Sequence, residues 1–211
     1  VVSEIEKIAK EGIKEVVITG IHVASYGKDF DNENTSKKIR LIDLLEAINK
    51  IDGIDRIRLS SLEPTIVDEE FATRLSKLDK ICEHFHLSLQ SGCDETLKRM
   101  NRRYTTKQFR KIVQILRENY NEVNLTTDII VGFPGETKED FQDTIDLVNE
   151  LKYDLAYTFI YSPRVGTPAS VMEDETSLEE KKERLAQLNE LINKYALINN
   201  QKYLGKVVEV L

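Results

Sequence analysis

The chain has 211 residues, 40% of them hydrophobic, enough for one sizeable core and short for two full domains. Its formal net charge of -7 opposes nucleic acid overall, so any such contact must be a local basic patch. No apolar run is long enough to cross a membrane, and the amphipathic start VVSEIEKIAKEGIKE is no signal peptide, so a cytoplasmic protein without membrane association is expected.

In chain order, residues 3–11 read as a helix with Ile5 and Ile8 on one face, ended at Gly12. Residues 15–20 are a β-branched run closed by Gly20, the look of a buried parallel strand. A polar loop follows over 26–38, then Leu41, Leu44, Leu45 and Ile48 repeat at helical spacing. Residues 55–60 read as a strand running into Ser61-Leu62-Glu63-Pro64, and 68–78 as a helix.

Residues 84–90 alternate along an extended chain. His84, His86, Ser88 and Gln90 share one face, and Phe85, Leu87 and Leu89 the other. Ser91-Gly92 breaks that strand. Phe109, Ile112, Val113 and Leu116 then mark a helix from near Thr106. Residues 123–131 form the next strand, ended by Gly132-Phe133-Pro134-Gly135, and Thr137 caps a helix through Leu151 with Asp140 three residues on. Residues 153–161 are the last strand of the series. Ser177 or Leu178 opens a long charged helix with Leu185, Leu188, Ile192 and Tyr195 on one stripe, and 205–211 resemble a strand cut off at its start.

Strand and helix in alternation specify a mostly parallel sheet covered by helices. Polar residues gather at the carboxyl ends of successive strands: Thr19-Gly20, Ser60-Ser61, Gln90-Ser91, Asp128 to Gly132, and Tyr161-Ser162. That favours an incomplete parallel β/α, TIM-type barrel over a doubly wound sheet, because the barrel carries chemistry on that rim.

Several constellations carry candidate chemistry. From Lys98 to Lys111 the chain has seven cations, Lys98, Arg99, Arg102, Arg103, Lys107, Arg110 and Lys111, and no acidic residue, which suits phosphate, with Tyr104 as a stacking face; an ordinary solvated helix face is the plainer reading. Glu63 and Asp128 end different strands and form a candidate acid and base pair, although such carboxylates more often serve as hydrogen-bond partners. His84 and His86 lack a third ligand, so no metal site is assigned. Cys82 and Cys93 are too few for a disulfide framework and lack C-x-x-C spacing; reduced structural cysteines are the expectation.

The stretch HLSLQSGCDETLKRMNRRYT at 86–105 resembles the signature of the radical S-adenosylmethionine (radical SAM) methylthiotransferases, which insert sulfur and a methyl group into tRNA adenosine or a ribosomal protein. The likeness continues in Ile18-Thr19-Gly20-Ile21-His22, in Leu59-Ser60-Ser61-Leu62-Glu63-Pro64, in 127–137, and in Tyr161-Ser162-Pro163-Arg164 with Gly166-Thr167-Pro168-Ala169. The wording of the first two blocks is most similar to the branch that methylthiolates N6-threonylcarbamoyladenosine beside the tRNA anticodon. The isopentenyladenosine and ribosomal-protein branches are the alternatives.

The resemblance implies S-adenosylmethionine as cofactor, cleaved reductively to a 5′-deoxyadenosyl radical at a four-iron cluster. It implies that Thr19 and Gly20 face the methionine amino group, Gln90 and Ser91 the ribose or carboxylate, and Ile130, Val131, Gly132 and Tyr161 the adenine. Lys98, Arg99, Arg102, Arg103, Lys107 and Arg110 would meet tRNA phosphate, Arg102 and Arg103 alternatively the cofactor carboxylate. The family's C-x3-C-x2-C cluster motif is absent from this sequence. The chain is therefore expected to be a core fragment lacking the first barrel strand: a barrel over 1–203 and the start of an RNA-binding β-domain over 204–211, with iron–sulfur clusters only in the full-length protein and no turnover alone. The reductant and sulfur source stay unidentified. Two readings of other classes compete, a non-catalytic RNA-binding module and a barrel enzyme acting on a phosphorylated metabolite; no G-x-G phosphate loop appears for the latter.

Overall fold

The structure is a computed structural model that describes residues 1–30 and 38–208. Its chain contacts form two compact units, residues 1–88 with 111–124, and residues 89–110 with 125–211.

The first unit begins with α1 (Val2–Lys10) and β1 (Glu15–Ile18), followed by α2 (Leu41–Asn49), β2 (Arg56–Leu59), α3 (Glu69–Leu75) and β3 (His84–His86). β1 and β2 pair in parallel with Val16 opposite Ile57, and both side chains are buried. The helices bury their apolar stripes, with Leu45, Ile48 and Leu75 fully enclosed. Asp68 caps α3 by accepting a hydrogen bond from Phe71 N at 2.8 Å, which places the helix start where the sequence does. Arg74 joins α3 to α2 through Asp43 and Glu46, each at 2.8 Å.

The expected strand over 84–90 is regular only over His84–His86, but its alternation persists beyond them. Phe85, Leu87 and Leu89 are all fully buried, and Leu62 N donates to His86 O at 2.8 Å. Gln90 ends the pattern with φ at 71°, a left-handed backbone in a residue with a Cβ. Gln90 is itself buried.

The second unit contains α4 (Asp94–Arg99), β4 (Asn124–Val131), α6 (Lys138–Leu151), β5 (Leu155–Ile160) and α7 (Leu178–Asn200), while α5 (Thr106–Asn119) precedes β4. β4 and β5 pair in parallel, Asp128 opposite Tyr157 and Ile130 opposite Phe159. One side of this pair is core: Leu125, Thr127, Ile129, Val131 and Ala156 are buried. Thr137 caps α6 as the sequence predicts, its hydroxyl accepting from Asp140 N at 3.1 Å while the Asp140 carboxylate accepts from Thr137 N at 3.2 Å.

Four expectations are corrected. A helix, α4, for which the sequence reading assigns no element, lies between the Ser91-Gly92 break and the helix from Thr106 and takes in the start of the basic run. On α7 the buried stripe is Lys181, Arg184, Leu188, Ile192 and Tyr195, with Leu185 only half-buried, because the two cations find buried or partly buried carboxylates. Tyr104 is no stacking face: it is 5% exposed and its hydroxyl donates to Leu89 O at 2.9 Å. Residues 205–208 form no strand, and the rest of the expected β-domain start, 209–211, lies outside the described residues, as does most of the polar loop.

Candidate functional site

At the carboxyl ends of β4 and β5, within the second unit, lies a cavity of about 610 Å³ lined by Gln90, Arg102, Asp128, Ile130, Tyr161 and Arg164 among others. The backbone fixes the first of these. Gln90 N donates to Asp128 O at 2.8 Å, and Ile130 N donates to Gln90 O at 2.9 Å, so Gln90 is stitched beside β4 despite its strained φ. Leu89, one residue earlier, is held by Thr127 Oγ1 on its N–H and by Tyr104 on its carbonyl. The aromatic residue read as an RNA contact is thus a structural tie behind the cavity floor.

Tyr161 is placed by its N–H, which donates to Val131 O at 2.9 Å, and by Phe133, whose ring meets its own edge-on at 4.9 Å. Its hydroxyl is buried without a partner among the described residues. A buried hydroxyl left unsatisfied costs free energy, as at Tyr120, and like that one the Tyr161 oxygen is closed to solvent, so only the rest of its side chain can face the cavity. Arg102 sits in the turn after α4, its N–H on Leu97 O at 2.9 Å behind a left-handed Asn101.

The turn after β4 is held from behind. Gly132 has φ at 67° and its N–H donates to Glu136 Oε1 at 2.9 Å. A Cβ there would stand 2.5 Å from Lys181 Cγ, so the packing of the α7 lysine as well as the backbone angle calls for glycine. Glu136 meets Arg184 at 2.6 Å. Burial pushes the Glu136 carboxyl above the usual carboxylate range, against the pull of the Gly132 N–H and of Arg184.

The structure sorts the sequence-derived candidates. Gln90, Ile130, Tyr161 and Arg102 meet in one cavity. Ser91 and Val131 are buried and do not line it; Ser91 Oγ accepts from Cys93 N at 3.2 Å. Gly132 serves the turn beside it. Thr19 and Gly20 line a larger cavity of about 1040 Å³ in the first unit, beside β1. In that unit His22 Nε2 lies 3.2 Å from Glu63 Oε2, so the two blocks that carry the branch resemblance touch. Of the basic residues, Arg99 is bound to Asp140 and Arg110 to Glu150, each at 2.7 Å. Lys98, Arg102, Arg103 and Lys107 are exposed. Phe159, on the cavity wall, is missed by the sequence reading, while Arg164 and Thr167, also on the wall, stand in the quoted blocks without a role assigned to them.

A profile of the Radical SAM superfamily matches residues 1–148, more than half of the chain. The chain belongs to the radical SAM superfamily. It is 47% identical over its whole length to the tRNA-2-methylthio-N(6)-dimethylallyladenosine synthase of Alkaliphilus oremlandii and 45% identical to that of Thermoanaerobacter sp., and it spans 44% of each of those relatives. Among solved structures, it resembles coproporphyrinogen III oxidase from Escherichia coli, described as a radical SAM enzyme, with a TM-score of 0.67 over 92% of this chain and 45% of that one at 16% identity. The radical S-adenosylmethionine methyltransferase TsrM of Kitasatospora setae follows with a TM-score of 0.62 over 81% of this chain and 32% of its own, at 21% identity. These likenesses show the radical SAM fold, parallel α/β, the class read from the strand and helix alternation.

Radical SAM proteins use S-adenosylmethionine and an iron–sulfur cluster. Among the described residues, no group of three or more His, Cys, Asp or Glu could hold a metal ion. Cys93 donates from Sγ to Asp140 Oδ1 at 3.1 Å, and burial pushes both the Cys82 and the Cys93 thiols up, away from the thiolate that iron requires. The described residues therefore offer no ligand set for a cluster.

Proposed function

We propose that this chain is core sequence of a tRNA methylthiotransferase, and that the cavity at the ends of β4 and β5 receives S-adenosylmethionine. The observation that carries the reading is the meeting of Gln90, Arg102, Asp128, Ile130 and Tyr161 in one cavity at the strand ends. When bound, S-adenosylmethionine supplies radical chemistry and a methyl group. The chain's own residues bind and orient it. Gln90 offers an amide to ribose hydroxyls or a carboxylate, and Ile130 an apolar edge and Tyr161 a ring to adenine. Ser91, Val131 and Gly132 act from behind by fixing the strand end and the turn. Arg102 meets the cofactor carboxylate or tRNA phosphate. Lys98, Arg103 and Lys107 are the remaining phosphate contacts, whereas Arg99 and Arg110 serve internal carboxylates.

On substrate, the Ile18–His22 and Leu59–Pro64 blocks favour N6-threonylcarbamoyladenosine, and the His22 contact to Glu63 supports reading them as one unit. The names of the relatives favour dimethylallyladenosine, the isopentenyl alternative. Mass spectrometry of tRNA nucleosides separates the two: in cells lacking the gene, loss of the methylthio derivative of threonylcarbamoyladenosine is expected, and loss of the dimethylallyl derivative instead reassigns the branch. Cofactor binding is tested by equilibrium dialysis with labelled S-adenosylmethionine. Tyr161→Ala is expected to weaken it about threefold to tenfold, the scale of one lost aromatic contact. Unchanged binding removes the cavity assignment.

A further inference from the structure

We propose that Lys181 of α7 is a positioning residue for the cavity at the ends of β4 and β5, a strut that fixes the segment after β5 through Asp174; this role rests on the cofactor reading above. Residues 162–176 supply Arg164, Thr167 and Ala169 to the cavity wall. Their own hydrogen bonds are local. Thr167 N and Oγ1 donate to Arg164 O, Ser170 N and Oγ to Thr167 O, Met172 N to Ala169 O, and Thr176 N to Asp174 Oδ1. All but Ala169, Ser170 and Thr176 are exposed. Among the described residues, the polar tie that leaves the segment is the ion pair of Asp174 with Lys181. So little burial places a segment at the low-stability end of a structure, where one tie decides how often it opens.

Lys181 reaches both sides of the gap. Its Nζ meets Asp174, while its stem lies on the turn after β4, where a Cβ on Gly132 would stand 2.5 Å from Lys181 Cγ and 2.6 Å from Cδ. That turn follows directly on the strand that gives Ile130 to the cavity, and Val131 O accepts the Tyr161 N–H, so one side chain links the two strand ends that carry the site. Lys181 is 7% exposed. An apolar side chain of similar length would fill that space without losing the hydration of an ammonium group, so what the charge adds is the fixed place of Asp174. The neighbouring Arg184 pairs with Glu136 and Glu180 and with no residue of 162–176 among the described residues. Arg184 therefore holds the turn alone, and Lys181 ties the turn to the segment.

The test uses the full chain, with hydrogen exchange read by mass spectrometry and equilibrium dialysis with labelled S-adenosylmethionine. Lys181→Met keeps the stem on Gly132 and removes the charge, Asp174→Ala removes the partner, and Asp174→Glu keeps a carboxylate. Exchange at 164–172 is expected to rise at least about fivefold in the first two, with α6 unchanged, and to stay near the parent in Asp174→Glu. The dissociation constant for S-adenosylmethionine is expected to rise about threefold to tenfold in the same two, because only molecules with the segment in place bind well. The double variant should lose no more than either single one, since both changes break one tie. Ile48→Val, in α2 of the first unit, shortens a buried side chain and should leave both readouts at the parent value, which separates positioning from a general loss of stability. Unchanged exchange or unchanged binding in Lys181→Met and Asp174→Ala overturns the strut while the cofactor reading stands, as does an equal loss in Ile48→Val. If the parent binds no S-adenosylmethionine, the cofactor reading falls and the positioning role with it.

Discussion

Arg184 Nη1 lies 2.6 Å from Glu136 Oε1, with the two side chains 6% and 1% exposed. The pair ties α7 to the turn that follows β4, since the same carboxylate accepts the Gly132 N–H. Removing one partner of a buried pair leaves the other charge without compensation. Arg184→Ala is expected to lower stability by about 3–5 kcal/mol, read by urea denaturation. A loss below about 1 kcal/mol, the range of exposed pairs, would show the site to be solvated.

Asp140 governs an acid response. Its partial burial acts to raise its pKa, but hydrogen bonds from Arg99, Cys93 and the Thr137 N–H outweigh that and hold it below the ordinary aspartate value. A depressed carboxyl contributes stability that is fully present above its unfolded pKa, ~3.9, and lost as the pH falls through the folded value. Asp140→Asn is therefore expected to cost about 1–3 kcal/mol at pH ~7, with the difference from the parent shrinking below pH ~4. Denaturation curves across that range decide it; a constant difference would mean the carboxylate charge is not involved.

Gly92 packs against α6 so closely that a Cβ would lie 2.5 Å from Thr144 Cα. Helix backbone cannot yield as a side-chain tip can. Gly92→Ala is expected to cost about 1–3 kcal/mol. At Gly20 a Cβ would meet only Val23 Cγ2, at 3.5 Å, so Gly20→Ala should stay within about 0.5 kcal/mol. Thermal melts of the two variants compare them directly, and equal melting temperatures would contradict the close approach.

The exposed arginines are separable from the internally paired ones. Arg102→Ala with Arg103→Ala should weaken RNA binding and reduce the slope of log K against log salt by about 0.7 for each phosphate that the variant no longer neutralises. Arg110→Ala removes a cation already held by Glu150 at 2.7 Å, so its slope should match the parent. Titrations at several salt concentrations read both, and identical slopes in all three proteins would remove the basic segment from the RNA surface.

Much of the architecture was legible in the sequence because it is local. The spacing of Leu41, Leu44, Leu45 and Ile48, the Thr137 and Asp140 cap, and the alternation of Phe85, Leu87 and Leu89 each depend on residues a few positions apart, and each is present as expected. Family membership was legible too, since the stretch at 86–105 lies within residues 1–148 that match the Radical SAM superfamily. Tertiary structure alone decided which charges are spent internally and which face water. Lys181 and Arg184 occupy buried helix positions because Asp174 and Glu136 come from 7 and 48 residues away. Tyr104 faces inward because Leu89 presents a carbonyl 15 residues back, and Tyr157 and Phe159 stay exposed because one side of the β4 and β5 pair is left open. Burial and charge pairing depend on groups distant in sequence, whereas periodicity and caps are written within a single turn or strand.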